Sequence, residues 1–191
     1  MQLEDLADRD KVFAYSAAPS RGLQPWRHPS CPLLFGGKSY VGSHEVQEQT
    51  YVSAFLLGVN AEILGRYHKR FLMPFGEYVP LKDTLPYMED LFGKWDPITP
   101  GAEPNVLGVG EARIGSMLCY EDMVASAAST LVRGDANILF SLADGSSFEN
   151  RLTLQQHRLL AHARAIENRR YFVRSASTGE SCIIAPTGII E

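Results

Sequence analysis

The chain has 191 residues, a length at which one domain with its own core is expected. Its net charge of -4 and its 21% of charged residues disfavour a nucleic-acid partner, because such proteins carry a basic surface. No stretch approaches the roughly 18 consecutive apolar residues of a membrane-spanning helix, and the acidic start MQLEDLADRD does not fit a signal peptide. The sequence therefore predicts a single soluble domain over residues 1–191.

The first half of the chain reads mainly as strands. Residues 1–31 give no clear pattern, and from Pro32 the run PLLFGGKSYVG predicts a strand. The runs YVSAFLL and ILGRYHK predict a hairpin whose turn is supplied by GVNAE. TLPYMEDLF predicts a short helix, and the Pro- and Gly-rich run KWDPITPGAEPNVLGVG predicts an irregular crossing segment.

Strands and helices alternate in the second half. ARIGSMLCY predicts a buried strand, MVASAASTLVRGD a helix and NILFSLA another strand. The longest predicted helix lies in SSFENRLTLQQHRLLAHARAIENRR, and the spacing of its apolar residues puts Leu152, Leu159, Ala163 and Ile166 on one face. YFVRSAS and SCIIAPTG close the chain as strands, so the whole pattern favours a layered α/β domain.

Cysteine and histidine give no sign of a metal site or a disulfide framework. The three cysteines, Cys31, Cys119 and Cys182, are an odd number without metal-type spacing. The histidines are scattered, and we interpret them all as surface or structural residues: His28, His44, His68, His157 and His162. No metal and no cofactor is expected.

Cys119 is the first candidate for chemistry. In GSMLCYED an apolar strand ends at Cys119, and a helix begins a few residues later. A thiol at such an elbow is exposed at the sheet edge, where backbone amides lower its pKa and can bind an oxyanion. The alternative is a small buried cysteine that packs as a hydrophobe.

Lys69 and Glu77 are the second candidates. The stretch GRYHKRFLMPFGEYVP places a cation and an anion around an apolar bend that contains proline. Each residue alone is typical of a solvated surface charge. Both lie far from Cys119 in the sequence, so only the fold can bring them together.

These segments, with QHRLLAHARAIENRRYFVRSASTGESCIIAPTG, resemble in order and interval the carbon-nitrogen hydrolase (nitrilase) superfamily. The resemblance is strongest to its apolipoprotein N-acyltransferase branch, through FGEYVP after a lysine, and it covers residues 32–188. It implies an α/β fold, the nitrilase-like αββα sandwich, incomplete here at both ends. It also implies a Glu-Lys-Cys triad.

The resemblance assigns roles to particular residues. Cys119 would be the nucleophile that forms an acyl thioester, and Lys69 the cation that stabilises the tetrahedral oxyanion. Glu77 would support Lys69, because the bend at Pro74 and Gly76 returns its carboxylate towards that cation. Tyr120 and Glu121 match residues beside the nucleophile.

The implied activity is transfer of an acyl chain from a phospholipid donor to the N-terminal amine of a lipoprotein acceptor. The implied location is the periplasmic face of the bacterial inner membrane, with membrane contact through segments outside this chain. Two alternatives stay open. One is a soluble amidase or nitrilase-type hydrolase with the same site, and the other is an inactive nitrilase-fold module that binds a partner.

Two departures from the family pattern matter. The triad's glutamate, the general base, falls at or before Met1; Glu4 is a weak candidate, and we expect the base upstream in a longer protein. The 191-residue chain alone is therefore expected to lack turnover. The second departure is the loop ADGSSFEN, which lacks the family's tryptophan, although Asp144 matches the family's aspartate.

Overall fold

The computed structural model describes residues 13–15, 31–42, 47–81, 84, 87, 98–145 and 151–191. The strands are β1 (Phe13–Tyr15), β2 (Leu33–Gly42), β3 (Gln47–Leu57), β4 (Ile63–His68), β5 (Val106–Val109), β6 (Ala112–Leu118), β7 (Ile138–Ala143), β8 (Tyr171–Ala176) and β9 (Cys182–Ile184). The helices are α1 (Ala125–Arg133) and α2 (Arg151–Asn168), and a 3-10 turn covers Cys119–Met123. The predicted strands from Pro32 onward and the two long predicted helices are confirmed.

The first sheet is antiparallel, in the order β1-β2-β3-β4. Its β3–β4 pair is the hairpin predicted around GVNAE, with Ala54 opposite Tyr67 and Leu56 opposite Gly65. Within the turn, Gly58 N donates to Glu62 O at 2.8 Å. The hairpin directs the end of β4, and with it Lys69, to one edge of the sheet.

The second sheet has the order β5-β6-β7-β8-β9 and is mixed. Strands β6, β7 and β8 are parallel, whereas the two outer pairs are antiparallel. Parallel strands end at the same edge, so Cys119, Asp144 and Ser177 follow three neighbouring strands at that edge. Ligand sites of α/β sheets usually form at this edge.

The two sheets stack face to face and share one core. Buried residues of the first sheet, such as Leu56 and Tyr67, pack with residues of the second, such as Leu118. A side chain added at Gly36 on β2 would lie 3.5 Å from Leu118, which shows how closely the sheets approach. The helices of the described residues pack against the second sheet, and together these layers form the layered α/β domain that the sequence predicted.

Helix α1 approaches β6 closely at Gly115. A Cβ atom at this position would lie 2.8 Å from a methyl group of Leu139 and 3.0 Å from the Cβ atoms of Leu131 and Ala136. Only glycine therefore allows this packing distance. The contact fixes the strand that ends at Cys119 against its following helix.

Two sequence predictions differ from the structure or lie outside it. The segment predicted to be irregular contains strand β5, because VLGV pairs with β6 in an antiparallel ladder. The helix predicted for TLPYMEDLF lies largely outside the described residues.

The apolar face predicted for α2 is not the face that packs. Leu152, Leu159 and Ile166 are 64%, 57% and 51% exposed. The buried face instead carries His157, Ala161, Arg164 and Ala165. Small and hydrogen-bonding side chains fill this contact because the helix lies over the polar turn at Cys119. In the part of the chain that the structure describes, no helix has the length and hydropathy of a membrane span.

His68 makes the stability of the fold depend on pH. Its Nδ1 atom lies 2.7 Å from Ser53 Oγ, and burial, followed by the charge of Arg66, lowers its pKa from 6.5 to about 4. The unfolded chain therefore binds a proton near pH 6.5 that the folded chain binds only near pH 4. The free energy of unfolding should fall as the pH drops through this window.

We expect this loss to be about 1 kcal/mol between pH 7 and pH 5, after allowing for solvent screening of a half-buried group. Urea unfolding at the two pH values measures it. His68→Asn keeps an acceptor near Ser53 but does not titrate, so its pH dependence should be smaller by the same amount. An equal dependence in both proteins would show that His68 is not responsible.

Candidate active site

Lys69 directly follows β4 and is 1% exposed. Its backbone is held on both sides: Lys69 N donates to Val52 O, and Gly101 N donates to Lys69 O, each at 2.8 Å. Its Nζ atom donates to Glu77 Oε1 at 2.6 Å. A buried ammonium group is tolerated when it is paired in this way.

Glu77 lies in a tight turn that returns the chain to Lys69. Gly76 N and Glu77 N both donate to Met73 O, and Met73 N donates to Glu77 Oε2 at 2.7 Å. Phe75 adopts a left-handed conformation with φ of 59°. The bend thus brings the carboxylate to the cation as the sequence predicted, and the second carboxylate oxygen is fixed by the turn itself.

Cys119 occupies the elbow between β6 and the 3-10 turn. Its φ of 49° is left-handed, which is unfavourable for a residue with a side chain. The side chain is half-buried, and Sγ lies 3.5 Å from Asp144 O. The thiol is therefore held at the edge where the parallel strands end.

The prediction that the elbow lowers the pKa of this thiol is wrong in its net direction. Burial raises the pKa of Cys119 and is the largest influence. The charge of Lys69 and the backbone of Asp144 and Tyr120 oppose it, whereas the charge of Asp122 adds to it. A base is thus needed to generate the thiolate.

Glu121 joins the two halves of the site. Its Oε1 atom accepts hydrogen bonds from Tyr67 OH at 2.7 Å, Arg70 N at 2.8 Å and Phe71 N at 3.1 Å. Its Oε2 atom accepts from Leu118 N at 2.9 Å. The carboxylate therefore ties the segment after Lys69 to the strand end before Cys119.

Burial governs the titration of this cluster. It raises the pKa of Glu121, although the hydrogen bonds from Tyr67 and the backbone oppose the effect. It also raises the pKa of the Tyr67 phenol, with Glu121 contributing further, so the phenol remains a donor. Four donors face the two oxygens, an arrangement that suits the ionised carboxylate.

Asp122 lies on the opposite side of the turn and is fully buried. Its Oδ2 atom accepts hydrogen bonds from Ser141 Oγ at 2.7 Å and Arg174 Nη1 at 3.0 Å. Its Oδ1 atom pairs with His157 Nε2. Sequence reasoning missed Asp122 and Arg174, although an arginine in the apolar strand YFVRSA was a signal of a buried charge partner.

The other predicted site residues either lie close to the Cys119 thiol or are outside the residues that the structure describes. Tyr120 directly follows Cys119 and is partly buried. Asp144 accepts a hydrogen bond from Ser177 Oγ at 2.7 Å, which links the ends of β7 and β8. Glu4, the weak candidate for the base, lies outside the described residues. Within the described ranges, no group of three His, Cys, Asp or Glu side chains could hold a metal ion.

The site thus combines a thiol, a buried cation that partly offsets the rise of the thiol's pKa, and an anion paired with the cation. This set suits covalent catalysis at a carbonyl carbon, in which Lys69 is placed near developing negative charge. The family model for carbon-nitrogen hydrolases matches residues 33–190, and the chain belongs to that family.

Curated relatives carry a more specific name. An apolipoprotein N-acyltransferase of Geobacter metallireducens is 36% identical over 139 residues, 73% of this chain and 27% of the relative. One of Bdellovibrio bacteriovorus is 33% identical over 174 residues, 87% of this chain and 31% of the relative. The chain therefore spans about a third of the length of these relatives.

Solved structures confirm the fold. A mutant of the Nesterenkonia AN1 amidase, from the nitrilase superfamily, superposes with a TM-score of 0.59 at 18% identity, covering 83% of this chain and 55% of that one. A carbon-nitrogen hydrolase of Helicobacter pylori G27 gives 0.60 at 15% identity, covering 83% and 56%. At these identities the likeness concerns the fold alone.

Proposed function

We propose that this chain is the catalytic part of an acyltransferase of the apolipoprotein N-acyltransferase type. The observation that carries the proposal is the buried Lys69–Glu77 pair, whose cation acts on the half-buried thiol of Cys119. The substrate class comes from relatives of that name at 36% and 33% identity. The donor would be a phospholipid and the acceptor the N-terminal amine of a lipoprotein, at the periplasmic face of the inner membrane.

In the first half-reaction, a base removes the proton from Cys119, and the thiolate attacks the ester carbonyl of the phospholipid. The tetrahedral oxyanion forms beside Lys69, whose buried charge stabilises it. The intermediate collapses to the acyl thioester, and the base returns the proton to the leaving alcohol of the lysophospholipid. We assign the base to a carboxylate outside the described residues, as the family resemblance implies, and not to Glu77, which is bound to Lys69 and to Met73 N.

In the second half-reaction, the lipoprotein amine attacks the thioester carbonyl, and the oxyanion again forms beside Lys69. The base accepts a proton from the amine and returns one to the departing Cys119 sulfur, so the site is regenerated. No redox step and no metal takes part in this scheme.

The test supplies the full-length protein with a phospholipid carrying a labelled acyl chain and a peptide with an N-terminal diacylglyceryl-cysteine. We expect the label to appear first on the protein as a thioester and then on the peptide as an amide. Small aliphatic amides are offered in parallel. Release of ammonia from them without labelled peptide would contradict the acyltransferase and support the hydrolase.

The hydrolase alternative has one observation in its favour. A mutant of the Nesterenkonia amidase, which shares this fold at 20% identity, carries the acetamide moiety of fluoroacetamide on its active-site cysteine, so that cysteine acts as a nucleophile in that protein. In a hydrolase of this kind, water in place of an amine would resolve the acyl thioester. If neither labelled peptide nor ammonia forms, the inactive-module alternative gains support.

Glu77 should act through its charge on Lys69. Glu77→Gln keeps the shape of the side chain but leaves the buried ammonium group without its anion, so thioester formation should slow at least tenfold, ~1.4 kcal/mol of transition-state stabilisation. The initial rate of label incorporation measures this, with circular dichroism to check folding. The exposed Glu103→Gln is the control and should match the parent. A folded Glu77→Gln protein with parental rate would make the bend purely structural.

A further inference from the structure

The backbone carbonyl of Cys119 has an unusual partner. His157, on the buried face of α2, is 3% exposed, and its Nε2 atom lies 3.2 Å from Cys119 O. The same nitrogen pairs with Asp122 Oδ1. One side chain of α2 therefore contacts both the candidate nucleophile and a buried carboxylate three residues later.

The geometry fixes the proton on this ring. Cys119 O and Asp122 Oδ1 are both acceptors, so the hydrogen is assigned to His157 Nε2, which donates to Cys119 O and lies against Asp122 Oδ1 without a hydrogen bond to it. His157 is thus a donor towards the elbow, and its Nε2 is not available as a base for the thiol.

The second carboxylate oxygen of Asp122, Oδ2, connects the 3-10 turn to the second sheet. It accepts hydrogen bonds from Ser141 on β7 and from Arg174 on β8. His157 and Asp122 therefore connect the turn that begins at Cys119 to α2 and to two strands of the second sheet. Glu121 connects the other side of the turn to the Lys69 segment.

Such an anchor has a clear physical purpose. The left-handed conformation of Cys119 is unfavourable for a residue with a side chain, and it persists only where neighbouring contacts hold it. The hydrogen bond from His157 to the Cys119 carbonyl fixes the orientation of that peptide group. Without that bond, the elbow can relax and carry the thiol away from Lys69.

We propose that His157 is a positioning residue, which holds Cys119 in its left-handed conformation, and so keeps the thiol beside Lys69, by donating to the Cys119 carbonyl and pairing with Asp122. The inference rests on the proposed role of Cys119 as the nucleophile. It concerns the geometry of the thiol, which can be measured without acyl transfer.

The test uses two variants that differ by one methylene group. In His157→Gln the amide nitrogen can reach the position of Nε2 and donate to Cys119 O, whereas in His157→Asn it is too short to do so. Iodoacetamide alkylation of Cys119 in the native protein is followed by peptide mass mapping at several pH values. Cys182, a partly buried thiol on β9, reports in the same sample on any general loosening.

His157→Asn should raise the rate of Cys119 alkylation at least fivefold at neutral pH and shift its pH profile downward, because a displaced thiol loses the burial that is the largest influence on its pKa. The charged groups known to act on this thiol are Lys69 and Asp122, and Arg174 faces Asp122 from β8. His157→Gln should restore the rate to within about twofold, with Cys182 unchanged in both variants. His162→Gln, on the same helix, is the matched control and should behave as the parent.

Two results would overturn the inference: parental Cys119 alkylation in His157→Asn, or equal changes of rate in the Asn and Gln variants. The second result would show that the ring only fills space. These results are separate from failure of the proposed function, since a protein that forms no labelled peptide but shows the Asn and Gln difference still has a positioned thiol.

Discussion

Cys119→Ser is expected to abolish acyl-thioester formation completely, whereas Cys31→Ser and Cys182→Ser leave it unchanged. Of the three cysteines, Cys119 lies at the strand end, where the charge of Lys69 acts on the thiol. Cys31 is exposed, and Cys182 lies in strand β9. A serine hydroxyl has a much higher pKa than a thiol, so the same base cannot generate the alkoxide.

Intact-mass measurement after incubation of the full-length protein with a phospholipid tests this expectation. The parent and the two control variants should gain the mass of one acyl chain, and hydroxylamine should remove it. Acyl mass that Cys119→Ser retains and that neutral hydroxylamine removes would place the thioester on another residue. Loss of acylation in either control variant would assign a role to that cysteine instead.

Glu121→Ala is expected to lower the free energy of unfolding by about 3 to 5 kcal/mol, because it leaves two buried and two partly buried donors without an acceptor. The donors are Tyr67 OH and the backbone N–H groups of Arg70, Phe71 and Leu118. Glu121→Gln should also lower the free energy of unfolding, since its amide NH2 group would replace one acceptor oxygen and face hydrogen-bond donors. Urea unfolding of each variant gives the numbers.

The matched control is Glu62→Gln. Glu62 is also hydrogen-bonded to backbone, through Asn60 N at 2.9 Å, but it is exposed and should change stability by less than about 0.5 kcal/mol. A loss below 1 kcal/mol in Glu121→Ala would show that the four donors find other partners and that Glu121 does not join the two halves of the site.

Much of the fold could be predicted from local patterns. Strands β2, β3, β4, β6 and β7 and both helices follow from apolar runs and helical spacing, which depend on neighbours within a few residues. The bend at Pro74 and Gly76 is equally local, so its effect on Glu77 was predictable. Strand β5 was not, since VLGV acquires its structure by pairing with β6.

The candidate site could be predicted only in part. Lys69, Glu77 and Cys119 came from residue types and a family resemblance; the structure pairs Lys69 with Glu77, and Glu121 ties the segment after Lys69 to the strand end before Cys119. The direction in which the pKa of Cys119 shifts depends on the burial of the thiol, and the spacing of residues along the sequence does not reveal burial. The sequence could not predict that the apolar face of α2 is exposed, because this depends on the polar turn against which the helix packs.

The sequence by itself determined most strands and both helices after Pro32, the elbow at Cys119 and the bend between Lys69 and Glu77, because each depends on residues a few positions apart. Only the tertiary structure decided that the adjacent acids Glu121 and Asp122 face opposite ways, one towards Tyr67 and the other towards Arg174. These pairs are separated by 54 and 52 residues. Hydrogen bonds over such separations form only when two sheets and a helix meet, so no local pattern could assign them.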